Sequence, residues 1–257
     1  MFGIDMLNNK YVQEYLPFLL KDCTTNSDIK WDDKELIPRV HKRLQEQKER
    51  TKKKAEVFTP SWICNVMNNH LDEDWFERKD VFNIEIDKGW ITNKDKIDFC
   101  NKDWKDYVLS TRLEITCGEA PFLVSRYDTT TGEYIGVGDR IGLLDRKLRV
   151  INENIDNKQE WFGWVIKAYQ STYGYEFQSD NLLIARINLF MTFIENYKYK
   201  WNIEPNSAAM MKIIDIISWN IWQMDGLKNT IPHTTTYATI MDWKENKRLL
   251  FKDIDKE

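Results

Sequence analysis

The sequence predicts an α/β fold built around a mainly parallel sheet, and three observations lead there. Short hydrophobic runs at residues 112–116, 172–177 and 221–227 are separated by long segments of helical period, the alternation that produces βα units. Gly (10) and Pro (6) are scarce among 257 residues and 30% of the chain is charged, which favours a helix-rich body over a turn-rich β-sandwich. Eleven Trp, 11 Tyr and 12 Phe give enough apolar surface to offset the entropy of ordering the chain.

Taken in order, residues 1–56 read as an N-terminal helical region. Tyr11, Tyr15, Phe18 and Leu19 have amphipathic spacing, Pro17 is expected to interrupt the helix or start a turn, and Asn26-Ser27-Asp28 marks a break. Val40, Leu44 and Gln47 begin a second helix that enters a basic run. Pro60 suits the first turn of a further helix over residues 61–71, with Thr59 as its cap and Trp62, Val66, Met67 and His70 as its buried stripe. A short strand is expected at residues 81–86 within an otherwise charged, irregular stretch.

Beyond the strand at residues 112–116, Asp128 to Glu133 reads as a hairpin turn. Helices follow at residues 140–154, with Ile141, Leu144, Leu148 and Ile151 on one side, and at 161–170. Asp180 is the expected cap of a long helix with Leu183, Ile187, Phe190, Met191 and Ile194 inward. Another helix spans residues 206–217, and the tail from 238 to 251 reads as a hairpin turning at Glu245-Asn246.

Composition narrows the function classes. The formal net charge is −4, and no apolar stretch approaches the roughly 18 residues needed to cross a bilayer. The N-terminus lacks a signal-peptide layout, so a cytoplasmic location with no membrane association is expected. Cys23, Cys64, Cys100 and Cys117 stand singly, as do His41, His70 and His233; neither a disulfide framework nor a metal site is expected. Glu85-Ile86-Asp87-Lys88 superficially matches a carboxylate–lysine nuclease motif, and a surface turn is the better reading. Residues 38–54 carry eight positive side chains against Glu46 and Glu49, a run suited either to phosphate contacts or to a solvated helix face. Lys52, Lys53 and Lys54 are its candidate DNA-binding residues.

In open α/β sheets ligands bind where the carboxyl ends of strands meet connecting loops. Three such loops follow Ile115, Tyr175 and Met224. Gly118 permits a tight turn with close backbone approach to a ligand, Glu176 ends a strand where an acid can accept from ribose hydroxyls, and Asp225 is placed to accept from an exocyclic amine.

These segments form an ordered series: Phe58-Thr59-Pro60; Leu113-Glu114-Ile115-Thr116-Cys117-Gly118-Glu119-Ala120-Pro121-Phe122-Leu123; Tyr173-Gly174-Tyr175-Glu176 with Ala185-Arg186-Ile187-Asn188-Leu189; and Asn220-Ile221-Trp222-Gln223-Met224-Asp225-Gly226-Leu227. Over about residues 55–230 the chain resembles the N6-adenine DNA methyltransferases of restriction-modification systems, both type I modification subunits and fused type II enzymes. That resemblance implies the Rossmann-like S-adenosylmethionine-dependent methyltransferase fold over residues 57–257, with S-adenosylmethionine as cofactor and DNA as partner. It also implies a site. Phe58, Thr59 and Pro60 would lie beside the methionine end, with Glu114, Cys117 and Gly118 in the first-strand loop. Glu176 would hold the ribose and Phe177 the adenine face, while Asp225 would take the adenine amine between Gly226 and Leu227.

The chain departs from the family in three ways. Glu119 and Ala120 stand where small residues and glycine are usual, so that an acid is expected to face the cofactor carboxylate. Gly118 and Glu176 lie 58 residues apart, against about 20 in a simple dinucleotide fold, which marks residues 124–170 as an inserted hairpin and two helices. No Pro-Pro dipeptide occurs, so the Asn-Pro-Pro-Tyr type motif that grips an extruded adenine is missing and no catalytic residue is assigned. The expectation is a methyltransferase-like protein that is incomplete or needs a partner subunit for catalysis; the alternative is a non-catalytic regulatory, assembly or DNA-binding subunit.

Overall fold

The computed structural model describes residues 9–21, 37–54 and 56–256. Its centre is a three-stranded parallel sheet in which β3 (Arg112–Glu114), β4 (Thr172–Glu176) and β5 (Ile221–Gln223) lie side by side in sequence order. The register pairs Leu113 with Tyr173 and Tyr175 with Trp222. Parallel neighbours need crossover connections. Here α5 (Leu143–Asn154) and α6 (Lys158–Gln170) join β3 to β4, while α7 (Ser179–Trp201) and α8 (Ser207–Asn220) join β4 to β5.

Strand residues alternate between two faces, and each face has its own apolar cluster. Ile221 and Cys117 join a large core with α5 to α8, where Leu144, Leu148, Trp161, Leu183, Phe190 and Ile217 are fully or almost fully buried. Residues 124–170 therefore contribute helices to the central core. Tyr175 and Trp222 face the other way, under a small hairpin of β6 (Thr239–Asp242) and β7 (Lys247–Leu250), where Met224, Ala238 and Ile240 complete the cluster. The tail hairpin turns as its sequence predicts. Helix α1 (Lys10–Leu19) joins the large core through Tyr15, whose ring centroid lies 5.6 Å from that of Phe190. Pro17 sits inside this helix instead of interrupting it. The expected break at Asn26-Ser27-Asp28 lies outside the described residues, as does Cys23.

Buried polar side chains pin the amino ends of the strands. Lys147 Nζ donates to Ser110 O (2.6 Å) and Ser171 Oγ (2.7 Å), tying the approaches to β3 and β4. Asn220 Nδ2 donates to Tyr169 O and Thr172 O. The carboxyl ends are thereby the free ends, and the connecting loops gather there.

Helix α3 (Ser61–Phe76) corrects the sequence reading in three respects. It runs five residues past 71, Pro60 occupies the cap position without a side-chain hydrogen bond, and Thr59 caps nothing. Its buried face is polar: Asn65, Asn68, Asn69 and Asp72 face inward, whereas Met67 is 52% exposed and His70 is exposed. The reason is Arg146 on α5. Its guanidinium is 1% exposed and donates to Asp72 Oδ2 (2.5 Å), Asn65 Oδ1 (2.9 Å) and Asn69 Oδ1 (2.7 Å). A buried charge demands acceptors, and that requirement overrides the apolar stripe. Tyr107 on α4 (Trp104–Leu109) also donates to Asp72.

The expected strand near residue 81 is β1 (Asn83–Ile86), paired in a hairpin with β2 (Gly89–Thr92). Glu85-Ile86-Asp87-Lys88 lies at its turn. Among the described residues no helix is long and apolar enough to cross a membrane.

Candidate ligand cleft

At the carboxyl ends of β3, β4 and β5 the loops enclose a cleft of about 770 Å³, within the range of small-molecule sites. Phe58, Thr59, Glu114, Cys117, Gly118, Glu176, Phe177, Asp225, Gly226 and Leu227 all line it. Pro60 does not; it stands at the start of α3, its carbonyl accepting from Ile63 and Cys64. Residues from four separate stretches of sequence thus meet at one place.

The loop after β3 is held by carboxylates. Thr116 (φ 48°), Gly118 (φ 55°) and Ala120 (φ 63°) adopt left-handed backbone conformations, which turn the chain sharply. Glu176 fastens this turn: Oε2 accepts from Gly118 N–H at 2.9 Å while Oε1 accepts from Gln178 N–H at 2.9 Å. Burial pushes its carboxyl above the usual range, against the pull of those amides. Glu114 accepts from the N–H groups of Phe122 and Leu123 at 3.4 and 3.2 Å. Burial drives its carboxyl, and the Cys117 thiol, well above their ordinary values.

Glu119 does not face the cleft. It is 1% exposed, with Oε1 accepting from Arg39 N–H and Oε2 from the Tyr127 hydroxyl, each at 2.7 Å. Burial raises this carboxyl to about 7 despite those donors and nearby Lys42. Its task is to hold the N-terminal segment against the loop after β3.

On the β5 side, Asp225 Oδ1 accepts from Leu227 N–H (3.0 Å) and Lys228 N–H (3.3 Å), folding the loop over itself. Oδ2 has Lys228 Nζ at 3.5 Å. Gly226 lies against the Tyr175 ring: a Cβ there would come within 2.8 Å of the phenolic oxygen. Leu227 projects from the lip, 98% exposed. Phe177 meets His233 edge to face, with ring centroids 5.5 Å apart.

The fourth wall is the N-terminal strap. Helix α2 (Leu44–Lys54) ends beside the cleft, and Lys52 and Lys53 line it together with Glu56 and Val57. Arg50 fixes the strap, donating to Glu56 through Nε (2.6 Å) and Nη2 (2.8 Å) and pairing with Asp180 at 2.7 Å. Lys42 reaches Asp180 at 3.2 Å. Asp180 is not the cap of α7: it lies inside the first turn and joins these ion pairs, while Gln178 takes the cap position without a side-chain cap hydrogen bond. The basic run is therefore divided between strap fasteners (Lys42, Arg50) and a cleft wall (Lys52, Lys53). The Lys54 side chain lies outside the described residues.

Sequence reasoning missed Tyr175, Gln178 and Asn181, all of which line the cleft. Tyr175 directly precedes Glu176, and the other two begin the helix that follows, so strand-end position was the available signal. Among the described residues no group of three or more His, Cys, Asp or Glu side chains is arranged to hold a metal ion. The chain matches no protein-family model, no curated protein and no solved structure with which it was compared.

Proposed function

We propose that the cleft binds S-adenosylmethionine and that the chain is a Rossmann-like, DNA adenine-N6 methyltransferase-type domain of a restriction-modification system, completed for catalysis by a partner chain. One observation carries this reading: Thr59, Gly118, Glu176 and Asp225 all border a single cleft at the carboxyl ends of adjacent parallel strands. Ligand sites in open α/β sheets lie at such ends.

The residues fit an adenosyl sulfonium. Glu176 is buried at the end of the middle strand, and its two oxygens, with about four lone-pair sites between them, retain acceptor capacity beyond the backbone amides they already serve, enough for ribose hydroxyls. Asp225 Oδ2 would take the adenine amine. Gly226 lets the β5 loop approach Tyr175 closely, so the adenine pocket keeps its width. The Phe58 ring edge lies 3.7 Å from the position of a Gly118 Cβ, and the Arg39 guanidinium lies over one face at 5.1 Å, which leaves the opposite face for the positively charged sulfur end. When bound, the group supplies an electrophilic methyl on sulfur; the chain's own residues bind and orient it.

The test is transfer of labelled methyl groups from S-adenosylmethionine to duplex DNA, alongside direct measurement of cofactor binding. Binding by the chain, with transfer dependent on an added partner subunit, is the expected result. Absence of cofactor binding refutes the proposal. Transfer by the purified chain alone refutes the requirement for a partner.

A further inference from the structure

We infer that Lys52 and Lys53 receive the anionic end of the ligand, the amino-acid carboxylate, instead of a DNA phosphate; this rests on the cofactor reading above. A zwitterionic ligand carrying a carboxylate needs donors for it, and in a tight strand-to-helix turn those would ordinarily be backbone N–H groups. Here much of that supply is engaged. Gly118 N–H serves Glu176, the Phe122 and Leu123 amides serve Glu114, and Ala120 N–H is bonded to Cys117 O.

The cationic side chains among the described residues lining the cleft are Lys52 and Lys53. They lie on α2, six and five residues before Phe58, which lines the same cleft beside Gly118. Lys53 has Glu49 at 3.6 Å, an exposed i,i+4 contact of the kind that contributes little and is readily exchanged. The strap that carries them is clamped by Arg50 to Glu56 and Asp180, so the backbone from which both lysines project is fixed beside the cleft.

The test compares S-adenosylhomocysteine, which has the carboxylate, with 5′-methylthioadenosine, which lacks the amino-acid end, by calorimetric titration of the full chain. The Lys52→Ala, Lys53→Ala double variant should lose at least tenfold in affinity for the first and less than twofold for the second. A Lys52→Arg, Lys53→Arg variant should recover most of the loss. Both replaced side chains are solvent-exposed, and thermal unfolding reads out whether the variants remain folded. An equal loss for both ligands overturns the inference, as does an unchanged affinity for S-adenosylhomocysteine accompanied by weakened DNA binding. If wild type binds neither ligand, the cofactor reading fails and the inference falls with it; if wild type binds both and the double variant is unaltered, the inference alone fails.

Discussion

The Glu176 carboxylate accepts the Gly118 N–H at 2.9 Å across a sequence gap of 58 residues. This bond ties the end of β4 to the turn after β3, so the residue proposed to hold the ribose also shapes the loop around the methionine end. Binding and loop geometry are consequently coupled through one side chain.

Gly226 tests the width of the cleft. In Gly226→Ala the new methyl would stand 2.8 Å from Tyr175 Oη and 2.9 Å from Cε2, so the ring or the loop must move. A stability loss of about 1–3 kcal/mol is expected for this overpacking, together with weaker ligand binding. Urea unfolding and titration on the same variant check both. Wild-type behaviour in both assays would mean that the loop after β5 shifts freely and does not fix the pocket.

The Asp72–Arg146 pair tests the polar face of α3. Both side chains are buried, at 2.5 Å, and removal of one partner strands the other charge. Asp72→Ala should cost about 3–5 kcal/mol, measured as a fall in the urea midpoint. A loss below about 1 kcal/mol would show that Arg146 finds other acceptors.

Glu119 predicts a pH dependence of stability. Its carboxyl is raised by burial from 4.5 to about 7, so between these values the folded chain keeps a proton that the unfolded chain has released. Stability from this group therefore declines as pH rises from about 4.5 to 7 and levels off above, by roughly 3 kcal/mol in total. Glu195 has the opposite sign: burial opposes ionisation, but Arg126 and Arg140 hold it near 2, so its contribution is present above about 4.5 and disappears as pH falls through 2. Glu119→Gln isolates the first effect. Relative to wild type it should gain stability from pH 5 to pH 8, read from urea midpoints; a constant difference would contradict the assignment.

The cleft was legible in the sequence because its residues sit next to hydrophobic runs at strand ends, and both the runs and the acids are local signals. The parallel sense of β3, β4 and β5 follows from the same alternation of strands and helices, whereas their order and register are set by packing between distant segments. What escaped depends on distant partners. Met67 and Val66 have the spacing of a buried stripe, yet Arg146, 77 residues beyond Asn69, draws the asparagine face inward. Asp180 has the chemistry of a cap, but Lys42 and Arg50 from the strap claim it. Glu119 could be placed in the loop after β3, while its orientation depends on Arg39 and Tyr127.

The most direct measurement is calorimetric titration of S-adenosylmethionine into wild type and Glu176→Ala. Wild type should bind, and loss of a charged acceptor worth about 1.5–3 kcal/mol should weaken the variant roughly 10- to 150-fold. Equal affinities in the two proteins, or no heat of binding in wild type at millimolar cofactor, would contradict the assignment of this cleft.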